Sequence, residues 1–280
     1  ANIATDSNSL TAFNTDGFTL GSGAGGFNDA GERFVAYCWS AGGGASQDNE
    51  NGSINTTSQI VSSDNGFSIS KWTGTGANAT IAHGLGAVPK WIIVKNRDSA
   101  GNNWAVYHVG QNNTHHSFLD TNALAVAGDR WQDTTPTSTV FSVNGSTDVN
   151  KSTDKMLAYC FADVPGYSKF GSYKGTGVAP TFIELGFTPA WIMNKRITHS
   201  SGNGTWIIRD NKRNTFNPVN TIVEANSTAA ESTDYAMDFV SNGFVWRDTQ
   251  HYTNENTAST YIYMAFAEFP FAGSAPAPAQ

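Results

Sequence analysis

Short apolar segments recur along the whole chain, and turns rich in Gly, Asn and Ser separate them. Within several segments both alternating sets of positions are apolar, as in Phe34-Val35-Ala36-Tyr37-Cys38-Trp39. Because successive side chains of a strand point to opposite faces of a sheet, this pattern predicts strands that are apolar on both faces. Strands of this kind are typical of sandwiches. We therefore predict an all-β fold of antiparallel β-sandwich, jelly-roll-like units, with short helical turns at most.

Helix has little support in the sequence. The best candidate is residues 226–231, where Ser and Thr precede Glu231 as in a capping box, and it predicts one or two turns. Residues 144–150 resemble a calcium-binding loop in composition, but they lack the regular Asp spacing and the terminal Glu. Because this segment lies between two predicted strands, we interpret it as a hairpin turn.

The order of these segments repeats along the chain, which identifies a duplicated structural unit. Residues 66–76 recur, with one extra residue, as residues 166–177. Pro89-Lys90-Trp91-Ile92-Ile93-Val94-Lys95 recurs roughly 100 residues later as Pro189-Ala190-Trp191-Ile192-Met193-Asn194-Lys195. The last strand of the unit occurs three times, and the copies are residues 34–41, 156–163 and 262–268.

The repeat predicts four consecutive parts of the chain. They are a partial repeat with a linker over residues 1–65, sandwich units over 66–165 and 166–271, and a Pro/Ala-rich tail over 272–280. A Pro/Ala segment is stiff and extended and cannot form a core by itself. We therefore expect a neighbouring surface to hold the tail, which favours an assembly.

The two cysteines occupy the same position of the repeat. Cys38 and Cys160 align with Ala265 of the third copy, which indicates a small, buried core position. Equivalent strands of different units rarely bring two thiols within bonding distance. We therefore predict free, inert thiols and no disulfide.

Charge limits the partners that the chain can have. The formal net charge is −7, and binding of nucleic-acid phosphates requires clustered Lys and Arg, so no nucleic-acid partner is expected. We interpret the one basic cluster as a solvated strand edge and turn; it comprises Lys195, Arg196, Arg209, Lys212 and Arg213. No run approaches the ~20 apolar residues of a membrane-spanning helix, so no membrane insertion is predicted.

A search for catalytic patterns finds none with the right context. Residues 21–26 fit G-x-G-x-x-G, but a strand rather than a helix is predicted after them, so they are interpreted as a hairpin loop. His115 and His116 cannot share one face of a strand and lack zinc-ligand spacing, so they are assigned to a surface loop. We predict no catalytic residue, no metal and no cofactor.

Aromatic residues outside the predicted strands are the remaining sign of a ligand. Trp131 follows Asp129 and Arg130, and Tyr252 lies in a similarly polar segment. An exposed ring can stack on a sugar while neighbouring polar groups bind its hydroxyls. These four residues are the predicted ligand-binding residues. The alternative is a ring that packs on its own sandwich or on another subunit.

The repeated motifs resemble a domain family of unknown function that is common in structural and tail-associated proteins of marine bacteriophages. The resemblance covers about residues 16–271 and is carried by Trp72-Thr73-Gly74-Thr75-Gly76, Pro89-Lys90-Trp91-Ile92-Ile93-Val94-Lys95, Gly186-Phe187-Thr188-Pro189-Ala190-Trp191 and Tyr261-Ile262-Tyr263-Met264-Ala265-Phe266-Ala267-Glu268. It implies a virion component such as a tail fibre, an appendage or a capsid-decorating protein. The family supplies no catalytic residues that could be transferred to this chain.

The expected function is therefore that of a non-enzymatic bacteriophage structural protein at the virion surface. We expect a homo-oligomer, with a trimer favoured, in contact with other virion proteins and with host-surface glycans as candidate ligands. A secreted or cell-surface lectin-like carbohydrate-binding module is the first alternative. A glycan-cleaving enzyme is the second, and it would need two carboxylates facing each other across a groove.

Overall fold

A computed structural model describes residues 9–21, 28–42, 46–199 and 202–270, and its regular structure is almost entirely β-strand. The predicted all-β sandwich class is confirmed. The chain divides into two compact units, residues 1–40 and residues 41–280, and the second contains both sequence repeats. The predicted Pro/Ala tail and most of the 21–26 glycine loop lie outside the described residues.

The first unit contains one antiparallel hairpin, formed by β1 (Leu10–Phe13) and β2 (Phe18–Leu20). The predicted strand over residues 34–41 is wrong, because this segment has no regular structure. Phe34 is 51% exposed and Cys38 is also exposed, so this copy does not have the buried environment of its homologous positions. An apolar alternation forms a strand only where a neighbouring strand accepts its hydrogen bonds.

The first repeat has nine strands and two single turns of helix. They are β3 (Ser58–Ser62), β4 (Phe67–Thr73), β5 (Ala79–Ala82), β6 (Trp91–Asn96), β7 (Ala105–His108), the 3₁₀ turn η1 (Val109–Gln111), β8 (His115–Phe118), β9 (Val126–Ala127), β10 (Val140–Val143), α1 (Thr147–Asn150) and β11 (Lys155–Phe161). The main sheet has the order β3-β4-β11-β6-β7-β8-β9, and β10 pairs with β5. Ile54, which precedes the predicted boundary at residue 66, also packs on this core.

The second repeat forms one eight-stranded antiparallel sheet. Its strands are β12 (Ser168–Lys174), β13 (Thr181–Glu184), β14 (Pro189–Thr198), β15 (Trp206–Asp210), β16 (Val219–Glu224), β17 (Ser232–Val240), β18 (Gly243–Trp246) and β19 (Thr260–Ala267). Their order is β12-β19-β14-β15-β16-β17-β18-β13. The strands β4-β11-β6-β7-β8-β9 and β10-β5 of the first repeat follow the same order. In the first repeat this order is split into two sheets, because β9 and β10 do not pair. The sequence repeat is therefore a structural duplication.

The helical predictions were misplaced. The single α-helical turn of the described residues is α1, inside the segment that was interpreted as a hairpin turn. Residues 226–231 contain no helix. A capping pattern stabilises a helix only if an apolar face of that helix packs on a core. Most of residues 226–231 are exposed, whereas Val149 of α1 is buried in the first core.

Each repeat encloses its own core between the two halves of its sandwich. In the first core the largest side chains are Trp72, Trp131 and Tyr107, and Cys160 is buried in the same core without a disulfide. Burial raises the pKa of the Cys160 thiol, so this thiol stays protonated and unreactive. In the second core the largest side chains are Trp246, Tyr173, Tyr261 and Tyr263.

The two repeats pack on each other through the face of each main sheet that points away from its own core. Phe161 of β11 stacks on Trp91 with ring centroids 4.7 Å apart and contacts Phe266 of β19 at 6.1 Å. Phe266 in turn contacts Trp191 at 5.6 Å. Trp91 and Trp191 are equivalent in the repeat, and so are Phe161 and Phe266. The same sheet face of each copy thus forms this aromatic interface.

Two side chains add hydrogen bonds between the repeats. Trp206 Nε1 donates to the Phe118 carbonyl at 2.7 Å. His108 Nδ1 accepts a hydrogen bond from the Gly110 amide, so Nε2 carries the proton and donates to the Tyr263 carbonyl at 3.1 Å. Since these bonds are directional, they fix the orientation that the aromatic contacts alone would leave less defined.

The repeated Gly-Thr-Gly motif is explained by a buried asparagine in each copy. Asn150 Oδ1 accepts from Trp72 Nε1 at 3.1 Å and from the Thr75 amide at 3.3 Å, and its Nδ2 donates to the Ala77 carbonyl at 2.7 Å. Asn254 bonds the equivalent turn of the second repeat, where its Oδ1 accepts from the Thr176 amide at 2.8 Å. The asparagine holds the loop that follows β4 in the first repeat and β12 in the second.

Candidate functional site

Trp131 does not lie at a binding surface. It is 1% exposed and packs edge-on against Tyr107 at 5.9 Å inside the first core. A ring without an exposed face cannot stack on a ligand, so the prediction that Trp131 is an exposed ring is wrong. The alternative that the ring folds into its own sandwich is the one observed. Polar neighbours in sequence do not show exposure, because the chain turns at this point and only the tryptophan points inward.

The two residues before Trp131 stabilise the surrounding loop. Arg130 Nε forms an ion pair with Asp148 Oδ2 at 2.6 Å, and its guanidinium lies 5.1 Å from the Phe118 ring. Asp129 accepts a hydrogen bond from Asn144 at 2.9 Å. Asp129 and Arg130 are therefore engaged with their own repeat. Tyr252 belongs to the other repeat, so the four predicted ligand residues do not form one site.

The adjacent histidines lie in strand β8 rather than in a loop. His116 is buried, and burial together with the Arg130 charge lowers its pKa to about 4. In the described ranges, no three His, Cys, Asp or Glu side chains lie close enough together to hold a metal ion. The same ranges contain no helix that is long and apolar enough to cross a bilayer.

Tyr252 is part of an aromatic cluster at one end of the second sandwich. Its ring lies 3.9 Å from that of His251 and 5.8 Å from that of Tyr235, and the Arg196 guanidinium lies 5.7 Å away. Tyr235 has a φ of 53°, in the left-handed region that side chains other than glycine rarely adopt. The pairing between β16 and β17 shifts at this point, and the resulting bulge turns Tyr235 toward Tyr252.

Lys195, Arg196 and Arg209 are buried, which contradicts the interpretation of these three basic residues as part of a solvated edge, whereas Lys212 is exposed. Arg209 donates to Asn194 Oδ1 and to the Tyr235 carbonyl, both at 3.0 Å, and lies 4.9 Å from the Trp246 ring. Burial lowers the pKa of Arg209 to about 10. Arg196 pairs with Glu255 at 2.8 Å. These cations hold strands and loops together inside the repeat and are not available to a ligand.

Lysine and tryptophan form the same contact in both repeats. Lys95 donates to the Asn102 carbonyl with its ammonium 5.5 Å from the Trp104 ring. Lys195 donates to the Gly204 carbonyl with its ammonium 5.0 Å from the Trp206 ring. Burial, and to a lesser degree the neighbouring Arg196 charge, lowers the pKa of Lys195 to about 7. Each pair closes the turn between two adjacent strands of the main sheet.

The buried His108 predicts a loss of stability in acid. Burial lowers its pKa to about 3 in the folded chain, whereas the unfolded value is near 6.5. The unfolded state therefore binds more protons between these values, so the contribution is complete above pH 6.5 and decreases by about 1.4 kcal/mol per pH unit below it. Urea unfolding between pH 7 and 4.5 should show this slope in addition to that of the buried His116, whose pKa is lowered to about 4. In His108→Gln the slope should be smaller than in the wild type; equal slopes in the two proteins would contradict the assignment.

A groove beside Phe216 combines an exposed ring with free polar groups. Its volume is about 380 Å³, and Phe216 is 85% exposed at its margin. Val219 and Phe239 supply apolar surface from the edge of the second core. The polar lining residues include Thr188, Lys212, Asn214, Thr215 and Glu268.

Hydrogen bonds hold the loop that carries Phe216. Asp210 accepts from the amides of Lys212 and Arg213 at 3.0 and 2.8 Å. Asn217 both donates to the Phe239 carbonyl and accepts from the Phe239 amide, at 2.8 and 2.9 Å. The loop that carries the exposed Phe216 ring is therefore held by hydrogen bonds on both sides of this residue. Sequence reasoning missed Phe216, although the surrounding Asn214-Thr215-Phe216-Asn217-Pro218 is rich in turn-forming residues.

Comparison with known proteins gives one match. A family model described as "Domain of unknown function (DUF7483)" matches residues 1–270. Neither a search of curated proteins nor a search of solved structures finds a match. The matched range covers every residue that the structure describes, and the family description names no activity, substrate or partner.

Proposed function

Because the chain belongs to this family of unknown function over nearly its whole length, we propose a function for it from its own residues: that of a non-enzymatic structural protein at the surface of a bacteriophage virion. The proposal covers three kinds of virion protein: a tail fibre, an appendage or a capsid-decorating protein. The proposal includes assembly as a homo-oligomer, with a trimer favoured, and contact with other virion proteins and with host glycans.

The observation that carries the proposal is that two similar sandwiches pack against each other through the aromatic interface. Phe161, Phe266 and the two equivalent tryptophans pack where the repeats meet. A body of this kind resists bending between its halves, which suits a protein that bears load on a particle surface. The strongly shifted ionisable groups support the non-enzymatic part, because His108, Lys195 and Arg209 all serve internal contacts.

The test is to locate the chain in intact particles from its source. We expect mass spectrometry of purified virions to contain this chain, and particle imaging to show its two sandwiches at the surface as a trimer. Light scattering of the purified chain should give a trimer mass. Absence of the chain from purified particles, together with a monomer at all concentrations, would overturn the proposal.

A secreted or cell-surface lectin-like module is the second candidate. The groove beside Phe216 favours it, because an exposed ring next to unengaged polar groups is the geometry of sugar-binding surfaces. A monomer that binds oligosaccharides and is absent from particles would support this candidate over the first.

A further inference from the structure

We propose that the groove beside Phe216 is a binding site for a neutral hexopyranose unit of an oligosaccharide. This inference rests on the glycan contact included in the proposed function and names its site and ligand class. It replaces the predicted site around Trp131, whose ring is buried.

The exposed ring supplies the stacking surface. Phe216 is 85% exposed, and Val219 and Phe239, which are buried in the second core, also line the groove that it borders. The apolar face of a pyranose, formed by C–H groups, packs well on the face of an aromatic ring. Other exposed phenylalanines of the second repeat, such as Phe182, are not among the groove's lining residues. Among the described residues, Phe216 is the exposed phenylalanine that lines this groove.

The polar lining matches the hydroxyl groups of a sugar. Within the described part of the chain, the side chains of Thr188, Lys212, Thr215 and Glu268 form no hydrogen bond, and Asn214 uses only its Oδ1, to accept from the Thr221 amide. Together these groups offer both donors and acceptors, and a sugar hydroxyl is both at once. One cation and one carboxylate balance each other, which favours a neutral over an anionic sugar.

The loop is already in place before a ligand arrives. The hydrogen bonds of Asp210 and Asn217 fix the backbone on both sides of Phe216. Binding then requires little ordering of the chain, so a small contact area can give measurable affinity. The volume of about 380 Å³ lies at the lower end of small-molecule sites, which suits one or two sugar rings.

The test uses the full chain and soluble maltohexaose, cellohexaose, chitohexaose and mannohexaose as probes. We expect at least one to bind in calorimetry or saturation-transfer NMR, and Phe216→Ala to weaken that binding about tenfold or more. Phe182→Ala is the matched control and should bind like the wild type. Thermal unfolding should show that both variants fold, since both rings are at the surface.

Three results would overturn the inference. They are no binding of any of the four probes to the wild type, equal binding by the wild type and Phe216→Ala, and binding only of an anionic probe such as sialyllactose. A loss of oligomerisation in Phe216→Ala without glycan binding by the wild type would likewise assign the ring to a contact between copies. Because these measurements use the purified chain, their failure is separate from a failure to find the chain in virions.

Discussion

Replacing Phe161 with alanine is expected to lower the free energy of unfolding by about 3–5 kcal/mol. The ring is buried where the two repeats meet, and its neighbours include Phe67, Trp91, Phe170 and Phe266. Truncation removes apolar contact from both repeats and leaves a cavity that rigid sheets cannot close. Urea unfolding followed by tryptophan fluorescence should show the loss, because Trp91 and Trp191 report on this region.

Phe216→Ala is the matched control, because it removes the same atoms from a ring that is 85% exposed. We expect it to change the free energy of unfolding by less than about 0.5 kcal/mol. If Phe161→Ala were as mild as this control, the aromatic interface would contribute little to stability. The proposal that the two sandwiches act as one rigid body would then be wrong.

Replacing Asn150 with alanine is expected to lower the free energy of unfolding by about 1–3 kcal/mol. The change leaves Trp72 Nε1 without its partner inside the first core and also removes the bonds to the Thr75 amide and the Ala77 carbonyl, which belong to exposed residues of the loop. Each buried polar group left without a hydrogen bond costs about 1–3 kcal/mol. The free energy of unfolding from urea titrations measures the effect.

Asn254→Ala should show a similar loss, because Asn254 holds the equivalent turn of the second repeat. Asn55→Ala is the control, since Asn55 is exposed and makes no hydrogen bond within the described residues. A loss at Asn150 without a loss at Asn254 would show that the two asparagines, although equivalent in position, do not have equivalent roles.

Much of the fold could be predicted because the same pattern of strands occurs twice in the sequence. The matching segments around Trp91 and Trp191 mark the same strand in each copy, and the structure gives both the same place in their sheets. The strand predicted at residues 34–41 failed because similarity of pattern does not supply a neighbouring strand. Helix α1 escaped detection because a single turn has no periodicity that a sequence pattern could reveal.

The candidate site was harder to predict, since exposure depends on contacts between distant residues. Trp131 has polar neighbours in sequence, yet Tyr107 on another strand buries its ring. Arg130 was expected to face a ligand but pairs with Asp148 instead. Arg209 was expected in solvent, whereas Asn194 and the Tyr235 carbonyl bind it inside the repeat. None of these pairings has a short-range sequence signature.

The contact between Phe161 and Phe266 has a consequence for the origin of the chain. Phe161 and Phe266 are equivalent in the repeat, and their contact is flanked by Trp91 in one copy and Trp191 in the other. A patch that binds its own copy is also what forms the interface of a homodimer. A single repeat with this face would dimerise in proportion to its concentration. Joining the copies through residues 162–167 makes the association intramolecular, so it persists at any dilution.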